Sequence, residues 1–99
     1  MKSYYVHMMA NKYKNVLYIG MTNNLIRRVY EHKNNVHDGF TKKYNCYKLV
    51  WYQKMDSSID AIIQEKRMKK WKREYKENVK CEMNPDWEDL YGELLKTEM

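Results

Sequence analysis

Two short runs of aromatic and β-branched residues, Ser3 to Met9 and Val16 to Met21, lie about six residues apart. That spacing constrains the fold more than any other feature of the chain. A connection so short closes as an antiparallel hairpin, because a parallel return needs a crossover of a dozen residues or more. With Met9 opposite Val16, His7 faces Tyr18 and Tyr5 faces Gly20. Side chains alternate along a strand, so Tyr5, His7, Met9, Val16 and Tyr18 then share one face of the sheet. A slip of one residue would put His7 and Tyr18 on opposite faces.

The period changes after Met21. Thr22 or Asn23 is placed to cap a helix running to about Lys33, with Leu25 and Val29 as its apolar stripe. Arg28 and His32, also four apart, lie beside that stripe, while Arg27 points roughly the other way. A third strand is predicted over Tyr47 to Lys54. Ser57, with Asp60 three residues on, resembles a capping box opening a helix from about Ser58 to at least Trp71. Ala61, Glu65, Met68 and Tyr75 fall on one side of it, which sets the Glu65 carboxylate inside a mostly apolar stripe. The chain continues as helix with a break near Lys70 to Arg73. Asn84-Pro85 then opens a last helix, with Asn as N-cap and Pro in the first turn. The order is β-β-α-β-α-α-α: an α+β fold with a three-stranded antiparallel sheet flanked by helices. With one proline, three glycines and no repeat or linker, all 99 residues are expected to form one domain with its core at about 4–90.

Charge narrows the partners. The net charge of +6 attracts polyanions. Lys66, Arg67, Lys69, Lys70, Lys72, Arg73, Lys76 and Lys80 make a basic stretch opposed only by Glu74 and Glu77, and the chain turns acidic after Pro85. A solvated lysine-rich helix is the plain alternative. No segment approaches the ~20 apolar residues of a membrane span, and the N-terminal stretch is too short and mixed for a signal peptide. Cys46 and Cys81 form no metal-ligand pair or disulfide framework, and no two of His7, His32, His37, Cys46 and Cys81 have zinc-ligand spacing. A cytoplasmic monomer without a membrane anchor is expected.

Several of these residues together resemble the GIY-YIG nuclease family, small bacterial single-domain branch. Tyr18-Ile19-Gly20 is a literal YIG. Tyr5-Val6-His7 stands where the family has Gly-Ile-Tyr, Arg28 and His32 match its Arg-x-x-x-His, and Glu65 falls where its metal-binding glutamate does. Gly39 to Tyr44 (Gly-Phe-Thr-Lys-Lys-Tyr) and Asn84-Pro85-Asp86-Trp87 extend the likeness over roughly residues 4 to 90. The resemblance implies an endonuclease hydrolysing DNA, branched or damaged forms included, with one Mg²⁺ or Mn²⁺ ion on Glu65. It also implies a catalytic set of His7, Tyr18, Arg28, His32 and Glu65. Lys42, Lys43, Tyr44, Lys69 and Lys72 are candidate DNA contacts. The main departure is His7 in place of the family tyrosine, which leaves a non-catalytic nucleic-acid-binding module as the alternative.

The residue types suit that chemistry independently. Phosphodiester hydrolysis needs a metal ligand, a cation on the non-bridging oxygens and a group for the attacking water's proton. Glu65 can supply the first, the planar fork of Arg28 the second, and Tyr18, His7 or His32 the third. Each has an ordinary alternative. Tyr18 would be a strand tyrosine, His32 a partly buried helix-end histidine, and Arg28 and Glu65 an ion pair between helices. Asn84 reads better as a helix cap than as a catalytic group. An imidazole near its ordinary pKa of about 6.5 would make His7 a direct base, with activity falling below that pH.

Overall fold

The computed structural model describes residues 3–34 and 44–98. Among them the predicted order is observed: β1 (Tyr4–Ala10), β2 (Leu17–Thr22), α1 (Leu25–Lys33), β3 (Lys48–Met55), α2 (Ser58–Lys69), α3 (Arg73–Met83) and α4 (Tyr91–Glu98). The strands form one antiparallel sheet in the order β2-β1-β3, so β1 is central and β2 is an open edge.

The hairpin register differs from the expected one by two residues. His7 pairs with Gly20, Met9 with Tyr18, and Ala10 with Leu17. The cause lies in the loop, where the Asn11 carboxamide accepts from the amides of Asn15 (3.1 Å) and Val16 (3.2 Å). Val16 is thereby drawn into the turn instead of the ladder. Because the shift is even, the face assignment survives: Tyr5, His7, Met9 and Tyr18 still share a side. On the other partner strand, a register irregularity between Met8 and Met9 leaves Val50 as an extra residue, and Leu49, Val50 and Trp51 are all buried.

Each sheet face carries its own core. Val6, Met8, Ala10 and Ile19 pack with Ala61 and Met68 of α2. On the opposite face Met9 and Leu49 pack with Leu25 and Val29 of α1, Cys46, and Leu90 and Leu94 near and on α4. The sheet is therefore sandwiched, with α1 and α4 on the His7 side and α2 on the other.

Several helix ends depart from expectation. The N-cap of α1 is Asn24, not Thr22 or Asn23; its side chain accepts from the Arg27 amide at 3.1 Å, while the Thr22 hydroxyl accepts from the Asn24 amide. Ser57 does cap α2, accepting from Asp60. The expected break falls between Lys69 and Arg73, so Tyr75 lies on the next helix, largely exposed, and not on the Ala61–Glu65–Met68 stripe.

Asn84 does not open a helix. It ends α3 and organises the following loop, donating to the carbonyls of Val50 (3.2 Å) and Glu88 (2.7 Å) and accepting from the Glu88 amide (2.9 Å). With both functions of its amide consumed inside that loop, nothing is left to cap a helix at Pro85. Asp89 performs that service later, accepting from the amides of Tyr91 and Leu49.

Candidate active site

Three rings meet above β1 and β2. The ring centres of His7 and Tyr18 are 6.3 Å apart, those of His7 and His32 5.8 Å, and those of Tyr18 and His32 5.6 Å. Alternation on the two strands brings up His7 and Tyr18. His32 comes from the last turn of α1, whose Leu25–Val29 stripe seats that turn on the sheet.

The space for them comes from Gly20, which sequence reading placed opposite Tyr5 and in the YIG string without a role of its own. It pairs with His7, and a Cβ built there would lie 2.8 Å from Tyr18 Cε2 and 2.9 Å from His7 Cε1. Only glycine leaves both rings where they are. The signal was in the sequence, as a glycine inside a strand, which marks a close approach.

The cluster has two tiers. His7 is fully buried and His32 nearly so, whereas Tyr18 is half-buried. Among the described residues neither nitrogen of His7 has a hydrogen-bond partner. Burial, reinforced by electrostatic interaction with His32 and Arg28, holds the His7 pKa down at about 3. This departs from the expectation of a base titrating near 6.5: the ring is neutral throughout the physiological range and fully buried.

Arg28 stands on α1, on the sheet face that carries the cluster, and Glu65 on α2, on the opposite face. The Arg28 side chain is 32% exposed against 74% for Arg27, as the helix geometry required. Arg28 pairs with Glu31 at 3.3 Å and Glu65 with Lys69 at 3.6 Å, so the two do not form the ion pair with each other that sequence left open. At about 100° per residue, Arg28 and Lys33 project from opposite flanks of α1. Lys33 reaches the Tyr47 carbonyl and Asp89, on the β3 side, which turns Arg28 toward β2. Likewise Gln64 of α2 bonds Gln53 of β3 at 3.5 Å, which turns its neighbour Glu65 toward β2 on the other face. Arg28 and Glu65 thus each fall on the β2 flank of their helix, Arg28 on the sheet face that carries Tyr18 and Glu65 on the opposite face.

Among the described residues, no three His, Cys, Asp or Glu side chains group as ligands for one ion. Glu65, 20% exposed, is a lone half-buried carboxylate. That donor set fits a hard divalent cation, which keeps most of its waters and shares substrate oxygens, and does not fit an all-protein cage. Of the candidate DNA contacts, Lys69 and Lys72 are exposed at the α2–α3 junction, and Tyr44 is exposed before β3. Lys42 and Lys43 lie outside the described residues. No helix of the described residues is long and apolar enough to cross a membrane.

Residues 3–78 match the family model described as the GIY-YIG catalytic domain. Among solved structures, the chain is similar to the UPF0213 protein BH0048 from Bacillus halodurans. The TM-score is 0.56 at 23% identity, over 88% of this chain and 92% of that one, a likeness of fold. No curated protein matches the sequence.

Proposed function

Because this chain belongs to the GIY-YIG family, we propose that it is a metal-dependent endonuclease that hydrolyses phosphodiester bonds in DNA. The family is one of nucleases acting on DNA and generally using a divalent metal, and this reading extends those properties to named side chains. What supports it is the arrangement around Gly20: a half-buried tyrosine beside two buried imidazoles, with Arg28 borne on the same sheet face and the Glu65 carboxylate on the helix that covers the other.

A phosphate lying along the β2 edge meets Arg28 from one side and Glu65 from the other. Arg28 neutralises a non-bridging oxygen and loses little entropy in doing so, since Glu31 already holds its fork. Tyr18 orients the attacking water, whose oxygen bonds to phosphorus as the bond to the leaving oxygen breaks. His7 and His32 act as positioning residues beneath it, fixing the plane of the phenol. Glu65 would hold one Mg²⁺ or Mn²⁺ ion, which would supply Lewis acidity to the phosphoryl group.

A second reading, a nucleic-acid-binding module without activity, draws support from the burial of His7, which removes a base that sequence had offered. Plasmid nicking separates the two. With Mg²⁺, wild-type protein is expected to convert supercoiled plasmid to open circle. Chelator, Glu65→Ala or Arg28→Ala should each slow this by at least about 100-fold, the scale of losing one transition-state contact. Nicking by Glu65→Ala at the wild-type rate would refute the proposed site, and wild-type protein that binds DNA without nicking it would establish the second reading.

A further inference from the structure

At the far end of the hairpin is a cleft of about 320 Å³ lined by Asn11, Lys12, Tyr13, Tyr44, Asn45 and Tyr47. Its three tyrosines are exposed: Tyr13 is 76% exposed, Tyr44 40% and Tyr47 37%. None of the three belongs to the two buried core clusters. We propose that this cleft is a stacking site for an unpaired nucleobase, so that the enzyme engages DNA carrying a single-stranded segment beside the cleavage point. The proposal rests on the nuclease reading for its substrate and deepens it by naming the form of DNA.

Three observations support a base over other occupants. First, the cleft's chemistry is aromatic faces with a cation and no carboxylate among its described lining. Lys12 Nζ lies 5.8 Å from the Tyr13 ring centre; Lys33, outside the lining and paired with Asp89, lies with its Nζ 5.6 Å from the ring centre of Tyr47. Aromatic faces interleaved with lysines are what a strand of stacked bases on a charged backbone requires.

Second, the cleft's largest surface is aromatic. The Asn11 carboxamide is consumed within its own turn by Asn15 and Val16, which leaves the Asn45 carboxamide and the tyrosine hydroxyls as its polar groups. Stacking there is open to an unpaired base and closed to one already stacked in duplex. A paired base would have to be unstacked at a cost of a few kcal/mol, whereas an unpaired one enters freely.

Third, the position suits a substrate that also reaches the β2 edge. Asn11 directly follows β1, two residues past Met9, which pairs with Tyr18. At about 3.3 Å per residue the cleft begins roughly 7 Å along the hairpin from Tyr18, within reach of one short stretch of strand.

The test is fluorescence anisotropy in chelator, with labelled oligothymidylate and a labelled blunt duplex. Wild-type protein is compared with Tyr13→Ala, Tyr47→Ala and Tyr13→Phe, and each variant's circular dichroism is checked for folding. Each alanine variant should weaken single-strand binding at least about fivefold, the low end of what one stacked base contributes. Duplex binding should change less than twofold, and Tyr13→Phe, which keeps the aromatic face, should stay within twofold of wild type on both.

Alanine variants that bind single strands as wild type does would overturn the proposal. Equal losses on single strand and duplex, or wild-type protein that binds no single strand, would do the same. Plasmid nicking with Mg²⁺ on the same preparations keeps the two ideas apart. Nicking without tyrosine-dependent single-strand binding sinks the cleft alone; tyrosine-dependent binding without nicking sinks the nuclease alone.

Discussion

Two residues beneath the candidate site, Gly20 and His7, make its geometry, and each has a measurable consequence. Gly20→Ala forces the Tyr18 and His7 rings apart, and His7, being fully buried, has nowhere to go. The expected cost is about 1–3 kcal/mol of stability, typical of overpacking, with a larger loss of nicking than that cost explains. A Gly20→Ala protein with wild-type stability and activity would mean that the rings need not meet. His7 sets the pH dependence. Its folded pKa of about 3 lies below the ordinary 6.5, so between those values the unfolded chain takes a proton that the folded protein refuses. Stability attributable to His7 is therefore full above pH 6.5 and is lost as pH falls toward 3, at up to about 1.4 kcal/mol per pH unit. His7→Leu, which also removes two unpartnered nitrogens, should flatten that slope in urea titrations at pH 4.5, 5.5 and 6.5. An unchanged slope would show that the imidazole is not the group responsible. Sequence identified His7, Tyr18 and His32 as neighbours because alternation and helical spacing are local rules. It misjudged the basicity of His7, because a pKa is set by what surrounds the ring.

Among the elements, the loop between α3 and α4 departs most from expectation. Asn-Pro-Asp reads locally as a helix start, yet Asn84 is buried and its carboxamide joins α3, the loop and β3. Around it Lys80 donates to the Asn84 carbonyl at 3.0 Å, and its ammonium sits 4.0 Å from the Trp87 ring centre. Trp87 itself holds a left-handed φ of 59°, a conformation a bulky side chain adopts only when its surroundings compel it. Asn84→Ala orphans two carbonyls and an amide and should cost about 2–4 kcal/mol, read as a fall in thermal midpoint. A loss below about 0.5 kcal/mol would show that the loop is held by packing alone. The hairpin shows the same logic in miniature, since Asn11 shifts the register by two through bonds that no pattern of apolar residues encodes. By contrast α1 and α2 lie close to where periodicity predicts them, because the Leu25–Val29 and Ala61–Met68 stripes are buried as the spacing requires.

On the scale of the whole molecule, the proposed encounter with DNA is one that charge would govern. A net +6 chain releases counterions on binding, so affinity should fall steeply between 50 and 200 mM salt. If Lys69 and Lys72 touch phosphates, replacing both with Gln should lower the log–log salt slope by about 2 without altering preference among sequences. A slope unmoved by both changes would assign them to solvent. The sequence by itself determined the element order, the shared face of His7 and Tyr18, the inward turn of Arg28 and the basic stretch, because these follow from periods of 2 and 3.6 residues and from composition. Only the tertiary structure decided that α1 and α2 cover opposite faces, that Arg28 and Glu65 therefore lie on opposite faces of the sheet, and that His7 is fully buried. Those facts depend on which surfaces meet after the chain has folded, and burial, dielectric and long-range hydrogen bonds have no local signature.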